Sequence, residues 1–386
     1  MFEVSKRLKK LPPYLFAEID RKKKKLISEG VNIIDFGIGD PDLPTPENIV
    51  EAMKKGVGNS SFHRYPLGKG TPAFRKAIAD FYKNNYEVKL NPDEEIVVLI
   101  GSKEGIAHFP WAILNPGDIS LVPEPGYPVY HIGTILAEGQ PYFMPLKVEN
   151  KFLPELNKIP QDILNKARIL FLNYPNNPTS TFIKKDFLIE AINFCKKNEI
   201  ILVYDAAYSE IYFNRKPVSF LSLPGAKEVG IEFHSLSKTY NMTGWRIGWV
   251  CGNRELVSAL AKIKENIDSG TFEAIQFAGI EALTGSQESV KKLRTIYKNR
   301  MHLLVEGLKE CGFNINMPEG TFYCWVKIEG SSIETAGYLL EKAGIVATPG
   351  IGFGPSGEGY LRFSITVPEE KIKEGIRRMK EIWLKK

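Results

Sequence analysis

The sequence predicts an α/β fold with a mostly parallel, doubly wound sheet in a large domain and a smaller α+β domain beside it. Three observations predict this fold. The length of 386 residues suits two joined domains. Short apolar runs alternate with helical patterns between about residues 96 and 252, and the pattern changes after about residue 312.

The large sheet is predicted from runs rich in β-branched residues, separated from one another by helical patterns. These runs are Ile96–Ile100, Ile119–Val122, Ile169–Leu172, Ile200–Tyr204, Glu232–Ser235 and Ile247–Val250. Strands connected in this way are typical of a parallel sheet that is covered on both faces. Ligands of such sheets bind beyond the carboxyl ends of the strands, so reactive side chains are expected directly after them.

The small domain is predicted from short strands and helices near the C-terminus. They are strands at Thr321–Ile328 and Tyr360–Ile365, a helix at Ile333–Ala343 and a final helix from Pro368. The segment before about Pro44, which prolines punctuate, is predicted to be an arm and connector that packs on this domain. The predicted division is a large domain at 45–275 and a small domain made of 1–44 and 276–386.

Composition excludes several classes of protein. The net charge of +6 comes from 51 basic and 45 acidic residues spread along the chain, which suits anionic ligands and does not indicate nucleic-acid binding. The densest basic run, Lys22–Lys25, has helical periodicity and is predicted to be a solvated helix face. Four single cysteines indicate neither disulfides nor a zinc site. Without a signal peptide or membrane-span pattern, the sequence predicts a soluble, unprocessed cytoplasmic protein.

The segment from Ser235 to Arg246 has the strongest chemical pattern. A lysine in a protected cleft after a strand can lose its proton and form a Schiff base, so Lys238 is predicted to hold pyridoxal 5′-phosphate (PLP). Ser235, Ser237 and Arg246 could surround its phosphate, because hydroxyls and a guanidinium bind anions directionally. Taken alone, Lys238 would more simply be one of many surface lysines.

Asp205 and Tyr208 follow the predicted strand Ile200–Tyr204. A carboxylate at this place could keep a pyridinium nitrogen protonated, so that the ring accepts electrons from the substrate Cα. Tyr208, at the expected start of a helix, could donate to the ring oxygen. In isolation, Asp205 could equally be only a helix N-cap.

Three other segments could contact the same cofactor. Asn173–Ser180 is a proline-rich turn that presents amides, though many such clusters are only turns. Gly101–Gly105 is a strand-to-helix junction whose backbone amides could approach a phosphate, although it lacks the P-loop spacing. Tyr127 could stack on a pyridine ring, but a tyrosine in the core is the commoner fate of such a residue.

Arg362 is a charged residue within an apolar strand and therefore needs an anionic partner. A substrate α-carboxylate would serve, and so would an internal Asp or Glu. The run Gly352–Gly357 matches the dinucleotide pattern G-x-G-x-x-G, but it precedes a strand and opens no helix. A nicotinamide site is therefore rejected.

Together these residues resemble the fold-type I PLP-dependent aminotransferases of class I/II, over nearly the whole chain. The resemblance implies that Lys238 is the Schiff-base lysine and Asp205 the pyridinium partner. It further implies that Tyr208 and Asn177 bind the ring oxygen, that Arg362 clamps the α-carboxylate and that Tyr127 stacks on the ring. The phosphate cup that it implies consists of Ser102, Lys103, Ser235, Ser237 and Arg246.

Tyr65 resembles the family's tyrosine that reaches the phosphate of the neighbouring subunit, which implies a homodimer with shared active sites. Within the family, several segments resemble bacterial LL-diaminopimelate aminotransferases, namely Leu11–Phe16, Gly37–Asp42, Gly101–His108, Tyr174–Ser180 and Glu232–Gly248. This likeness implies a substrate pocket that consists of Tyr14, Gly39, Lys103, Tyr127, Asn177 and Arg362.

The function implied is transfer of an amino group from LL-2,6-diaminopimelate to a keto acid such as 2-oxoglutarate, giving tetrahydrodipicolinate for lysine biosynthesis. Lys238 would move the Cα proton as general base and acid. An aspartate, alanine or aromatic aminotransferase or a C–S β-lyase on the same fold are alternatives. Aspartate is weakened because Asp268–Glu273 contains no arginine for a distal carboxylate, although Lys103 could replace it. A non-catalytic PLP-sensing regulator belongs to a different class and would need a DNA-binding domain, for which this resemblance leaves no room.

Overall fold

The computed structural model describes residues 2–11, 17–66 and 68–383. Its strands are β1 (Ile34–Asp35), β2 (Ile96–Leu99), β3 (Ile119–Glu124), β4 (Gln140–Pro145), β5 (Ala167–Asn173), β6 (Ile201–Asp205), β7 (Gly230–Ser235), β8 (Gly248–Gly252), β9 (Tyr323–Lys327), β10 (Ile345–Val346), β11 (Thr348–Pro349) and β12 (Tyr360–Ser364). Its α-helices are α1 (Lys6–Lys9), α2 (Ala17–Ser28), α3 (Glu47–Val57), α4 (Pro72–Tyr86), α5 (Ser102–Ile113), α6 (Val129–Leu136), α7 (Gln161–Leu164), α8 (Lys185–Asn198), α9 (Ala226–Val229), α10 (Leu236–Thr239), α11 (Arg254–Glu265), α12 (Glu273–Thr284), α13 (Glu288–Glu310), α14 (Ser332–Ala343) and α15 (Glu369–Trp383).

The large sheet has seven strands in the order β2-β8-β7-β6-β5-β3-β4. Strands β2, β7, β6, β5, β3 and β4 run in one direction, and β8, between β2 and β7, runs in the opposite direction. The mostly parallel, doubly wound α/β sheet and all six of its predicted strands are therefore confirmed. The sequence did not predict β4, a largely solvent-exposed edge strand that contains two prolines and no β-branched residue.

Side chains from alternate positions of the central strands enter two different cores, because successive residues of a strand point to opposite faces. Phe171 and Phe233 pack in a core together with α5, whereas Leu172 and Tyr204 pack in a core together with α4 and α8. This two-sided burial explains the continuous apolar runs in the sequence. None of the helices in the described ranges is long and apolar enough to cross a membrane.

A second, antiparallel sheet with the order β11-β12-β9 lies in the C-terminal part of the chain. Its core also contains side chains from α13, α14 and α15. The short strand β1 pairs in parallel with β10, so the connector that precedes residue 44 joins this core through Ile34 and Phe36.

The predicted boundary at residue 276 falls inside α12. The helix packs on α3 and α4, and its residues Ala278 and Ala282 belong to the core of the large sheet. No glycine or proline interrupts the sequence at the predicted position, and the apolar face of α12 continues through it. The broader division into two domains stays a prediction.

Glu232 of β7 is a carboxyl group buried in the core of the large sheet. Tyr82 Oη and Ser219 Oγ donate hydrogen bonds of 2.8 and 2.9 Å to its two oxygens. Burial nevertheless raises the pKa of Glu232 from 4.5 to about 7. The folded protein therefore binds one more proton than the unfolded chain between these two pH values.

We expect Glu232→Gln to reduce the loss of stability that the parent protein shows as the pH rises. Because the folded pKa is the higher one, the free energy of unfolding falls by about 3 kcal/mol as the pH rises from below 4.5 through about 7. Urea unfolding at pH 5 and pH 8 measures the difference, with the exposed Glu228→Gln as matched control. An equal loss in parent and Glu232→Gln would contradict this account.

Candidate active site

A cavity of about 550 Å³ lies at the carboxyl ends of the central strands and extends to the small sheet. Asn173, Asp205 and Ser235 are the last residues of β5, β6 and β7, and all three line it. The cavity brings together twelve of the predicted site residues, which are Gly39, Ser102, Lys103, Tyr127, Asn177, Asp205, Tyr208, Ser235, Ser237, Lys238, Arg246 and Arg362.

Two predicted site residues are not in this cavity. Tyr65 is 88% exposed and does not line it, so its predicted contact with a neighbouring subunit stays a prediction. Tyr14 lies outside the described residues.

Asp205 is a buried carboxyl group held by three neighbours. Tyr130 Oη donates a 2.8 Å hydrogen bond to Oδ2, and the backbone N–H of Ala207 donates one of 3.1 Å to Oδ1. Asn173 Nδ2 fixes the backbone by donating to the Asp205 carbonyl at 2.9 Å. Burial raises the pKa of Asp205 to about 6, although both hydrogen bonds to the carboxylate act in the opposite direction.

The expected helix after Asp205 is not present. Residues 207–210 form a turn, so the interpretation of Asp205 as a helix N-cap is wrong and Tyr208 does not begin a helix. The turn still places Tyr208 in the cavity lining, where its hydroxyl lies 3.1 Å from Tyr323 Oη. A buried carboxylate with a rigid donor shell is suited to hold a cationic ring nitrogen.

Lys238 is positioned by the short helix α10. Ser235 caps this helix, and its Oγ accepts a 3.1 Å hydrogen bond from the backbone N–H of Ser237. Lys238 Nζ donates to the Gly39 carbonyl at 3.2 Å and lies 5.6 Å from the centre of the Phe322 ring. A Cβ on Gly39 would lie 2.0 Å from Tyr323 Oη, so glycine is required where the backbone approaches the lysine.

A cradle for an anion lies where β2 leads into α5. Gly101 has a φ of +77°, and a Cβ there would lie 2.4 Å from Arg246 Nη2. Only glycine therefore lets the guanidinium approach the N-terminus of α5, where the backbone N–H groups of Ser102 and Lys103 have no earlier helical turn to bond. Peptide N–H groups together with a guanidinium form a site suited to a dianionic phosphate.

Arg362 of β12 is held by polar groups and aromatic rings. Nη1 donates to Asn177 Oδ1 and Nη2 to the Gly37 carbonyl, each at 2.8 Å. The guanidinium carbon lies 4.2 Å from the centre of the Tyr323 ring and 4.7 Å from that of Phe353.

Arg362 still has a hydrogen-bond donor that no described residue uses. Its Nε is buried without a hydrogen-bond partner in the described part of the chain. The described residues provide no acidic partner either, because the hydrogen bonds of the guanidinium end on an amide, a carbonyl and a hydroxyl. Of the two predicted partners, a substrate carboxylate fits this surrounding and an internal Asp or Glu does not.

Sequence reasoning missed two tyrosines of the site. Tyr130 bonds Asp205, and Tyr323 contacts both Tyr208 and Arg362. Tyr130 follows Tyr127 by only three residues and the two rings lie 5.9 Å apart, so this closeness in sequence was an available signal. Tyr323 comes from the small sheet, and no local pattern indicates its approach to the cavity.

The prediction of a solvated face for Lys22–Lys25 is wrong for one member. Lys24 and Lys25 are exposed, whereas Lys23 lines the cavity and forms an ion pair with Asp35. The periodicity of the segment indicates an amphipathic helix. It does not show that part of the polar face borders the cavity.

The rejected dinucleotide motif has a structural role. It forms two short 3₁₀ turns, and the Ser356 backbone N–H and hydroxyl donate to Glu124 Oε2 at 3.1 and 2.6 Å. These bonds attach the segment to the end of β3. The motif therefore opens no α-helix, as the sequence analysis expected.

The cavity residues fit the requirements of PLP. Asp205 can face the ring nitrogen, Tyr208 and Asn177 can bind the ring oxygen, and the Lys238 amine can meet the aldehyde. The cradle between Gly101 and Arg246 supplies what a phosphate needs, namely peptide N–H groups and a cation.

Comparison with known proteins agrees with this donor set. Residues 31–379 match the family aminotransferase class I and II. The chain is 55% identical over 387 residues to the LL-diaminopimelate aminotransferase of Aquifex aeolicus, with 100% of both chains covered. It is 50% identical over 384 residues to the enzyme of that name from Syntrophobacter fumaroxidans, with 99% of each covered.

Solved structures share the fold. The substrate-bound structure of BacF from Bacillus subtilis has a TM-score of 0.94 at 40% identity, covering 99% of this chain and 98% of that one. A single mutant of the Thermus thermophilus aspartate aminotransferase has a TM-score of 0.93 at 27% identity, covering 99% and 100%.

Proposed function

The chain belongs to the class I and II aminotransferases, and from that premise we propose that it is an LL-diaminopimelate aminotransferase. The observation that carries the proposal is the full-length identity of 48–55% to relatives that all have this name. In the proposed reaction, LL-2,6-diaminopimelate gives its amino group to a keto acid such as 2-oxoglutarate. The resulting keto acid would cyclise to tetrahydrodipicolinate, which places the enzyme in lysine biosynthesis.

PLP is the cofactor of this family. When bound, it supplies an aldehyde that condenses with amino groups and a ring that accepts electrons from the substrate Cα. In this chain, Asp205 would hold the ring nitrogen and Lys238 the aldehyde carbon. Tyr208 and Asn177 would bind the ring oxygen, and the cradle at Gly101 and Arg246 would bind the phosphate.

The protein side chains then perform binding and proton transfer. Arg362 would hold the α-carboxylate of the substrate, which fixes the Cα with respect to Lys238. The Lys238 amine would take the proton from Cα and deliver it to the carbon of the cofactor's former aldehyde group, as general base and acid. The aromatic rings of Tyr323 and Phe353 hold the Arg362 guanidinium between them and limit the access of water to it.

The charges of the cavity support a substrate with two zwitterionic ends. Apart from the groups assigned above, Asp20, Lys23, Asp35 and Asp40 also line the cavity. All four come from the N-terminal segment, and they supply both signs of charge. Lys23 and Asp35 pair with each other, so the excess of carboxylates makes the wall complementary to a distal ammonium, and less so to the side chain of aspartate or an aromatic amino acid.

A homodimer with shared active sites is also part of the proposal. Tyr65 is a large aromatic residue with 88% of its surface exposed, so it is accessible to a second copy of the chain. Coverage by a second copy of the chain would bring its hydroxyl to the partner's phosphate. The four buried free cysteines support a reducing cytoplasmic location.

The test of the amino donor is a half-reaction titration. The PLP form of the enzyme is mixed separately with LL-diaminopimelate, meso-diaminopimelate, glutamate, aspartate and alanine, and the absorbance of the lysine-bound cofactor is followed. We expect LL-diaminopimelate to convert the enzyme at the lowest concentration among the non-glutamate donors. Faster conversion by aspartate than by LL-diaminopimelate would contradict the proposal, and release of pyruvate from cystathionine would favour the C–S β-lyase instead.

We expect Arg362→Lys to raise the KM of both the amino donor and the keto acid by roughly 10- to 100-fold, because one charge-assisted hydrogen bond contributes about 1.5–3 kcal/mol. The affinity for PLP should change by less, because Arg362 is assigned to the substrate and is connected to the cofactor site only through Asn177. Steady-state kinetics and a PLP titration check both expectations. Arg377→Lys, on the exposed side of α15, is the matched control. An unchanged KM would remove Arg362 from the substrate site.

A further inference from the structure

Lys264 of α11 is a charged residue with none of its side-chain surface exposed. Its Nζ lies 2.7 Å from Asp268 Oδ1 and 3.4 Å from Glu104 Oε2. It does not line the cavity and has no part in the roles assigned above. Burying an ammonium group costs free energy unless acidic partners compensate it. The role of Lys264 should therefore follow from the groups that it contacts.

Glu104, one of these contacts, bonds the turn between β2 and α5. It is the third residue of α5, and its Oε2 accepts a 3.1 Å hydrogen bond from the backbone N–H of Ile100, on the strand side of Gly101. His108 Nδ1 lies 3.0 Å from the other oxygen. Glu104 thereby fixes the turn from β2 into α5, the same turn that presents peptide N–H groups and Gly101 to the phosphate.

The negative charge of Glu104 is unfavourable for phosphate binding at the N-terminus of α5. The carboxylate lies within the first turn of the helix whose N-terminus is assigned to a dianionic phosphate. Two anions near one helix terminus repel each other, and the repulsion is strong where water is excluded. A cation next to Glu104 would allow the turn to keep its hydrogen bond without weakening phosphate binding.

We propose that Lys264 is a positioning residue of the phosphate site, which neutralises Glu104 and holds it in the bond to Ile100. The same ammonium connects α5 to the loop between α11 and α12, because it also bonds Asp268 of that loop. Asp268 Oδ1 in turn accepts a 2.7 Å hydrogen bond from the Gly270 N–H. The inference depends on the cofactor of the family and not on which amino donor the enzyme uses. Failure of the LL-diaminopimelate proposal would leave it standing, and its own failure would leave that proposal standing.

The experiment compares two ligands of the full-length apoenzyme, PLP and pyridoxal, which lacks the phosphate. The dissociation constant of each is measured by absorbance in phosphate-free buffer for the parent and for Lys264→Met. We expect PLP to bind roughly tenfold or more weakly to the variant, and pyridoxal to change by less than about twofold. Lys262→Met, an exposed position on the same helix, should change neither constant.

The double variant Glu104→Gln/Lys264→Met separates charge compensation from simple packing. Removing the negative charge as well should restore PLP affinity to within about threefold of the parent value. Equal weakening of PLP and pyridoxal in Lys264→Met, or no recovery in the double variant, would overturn the inference. If Lys264→Met does not fold, the same comparison of ligands with Lys264→Gln and with the double variant decides between the two outcomes.

Discussion

Replacing Lys238 with alanine is expected to lower the rate of transamination by at least about 10⁴-fold, the largest effect of any single substitution in this chain. Lys238 is the amine placed to bond the cofactor aldehyde and the base placed to move the Cα proton, so one substitution removes both functions. Its Nζ lies 3.2 Å from the Gly39 carbonyl, at the wall of the cavity. Stopped-flow measurement of the half-reaction with the amino donor gives the rate.

Two control variants show whether the amine of Lys238, and not only its charge, is required. Lys238→Arg keeps the positive charge but supplies no amine that can bond the aldehyde, so it should be as inactive as Lys238→Ala. Lys147→Ala removes an exposed lysine and should leave the rate unchanged. Transamination by Lys238→Ala at more than about one-hundredth of the parent rate would mean that another residue moves the proton.

Asp205→Asn is expected to lower the rate by roughly 10²–10³-fold, because breaking a buried ion pair costs about 3–5 kcal/mol. The asparagine amide is nearly the same size but cannot stabilise a protonated ring nitrogen. The parent should also show a pH effect that the variant lacks. Burial raises the pKa of Asp205 to about 6, so the affinity of the apoenzyme for PLP should fall as the pH drops below that value and the carboxylate is neutralised.

Tyr130→Phe is the graded control for this prediction. It removes the 2.8 Å hydrogen bond to Asp205 Oδ2 but keeps the charge, and one hydrogen bond corresponds to roughly tenfold or less in rate. PLP titrations from pH 5 to pH 8 and half-reaction rates are measured on the same preparations. Equal effects of Asp205→Asn and Tyr130→Phe would show that the charge of Asp205 is not what matters.

The large sheet could be predicted from the sequence because its central strands are buried on both faces. Such strands appear as uninterrupted apolar runs, for example Ile169–Leu172 within the observed β5. The edge strand β4 has only a short apolar stretch between two prolines, and only Met144 of its six residues is buried. The sequence around the predicted boundary of the large domain gives no local signal either, because α12 is a continuous helix and only tertiary packing shows which core it joins.

The site could be predicted to the extent that its residues follow strands of the large sheet. Asp205 and Lys238 do so, which places them at one edge of the sheet. Tyr323 and Lys23 could not be found in this way, since one comes from the small sheet and the other from an N-terminal helix. Their approach to the cavity depends on how distant parts of the chain pack together.

The attachment of the cofactor to Lys238 is the central claim, and peptide mapping tests it most directly. The purified holoenzyme is reduced with borohydride and digested, and mass spectrometry then locates the lysine that carries the added pyridoxyl phosphate group. We predict that the modification lies on Lys238, in the peptide that contains Ser237 and Thr239. Modification of another lysine, or none at all, would contradict the account.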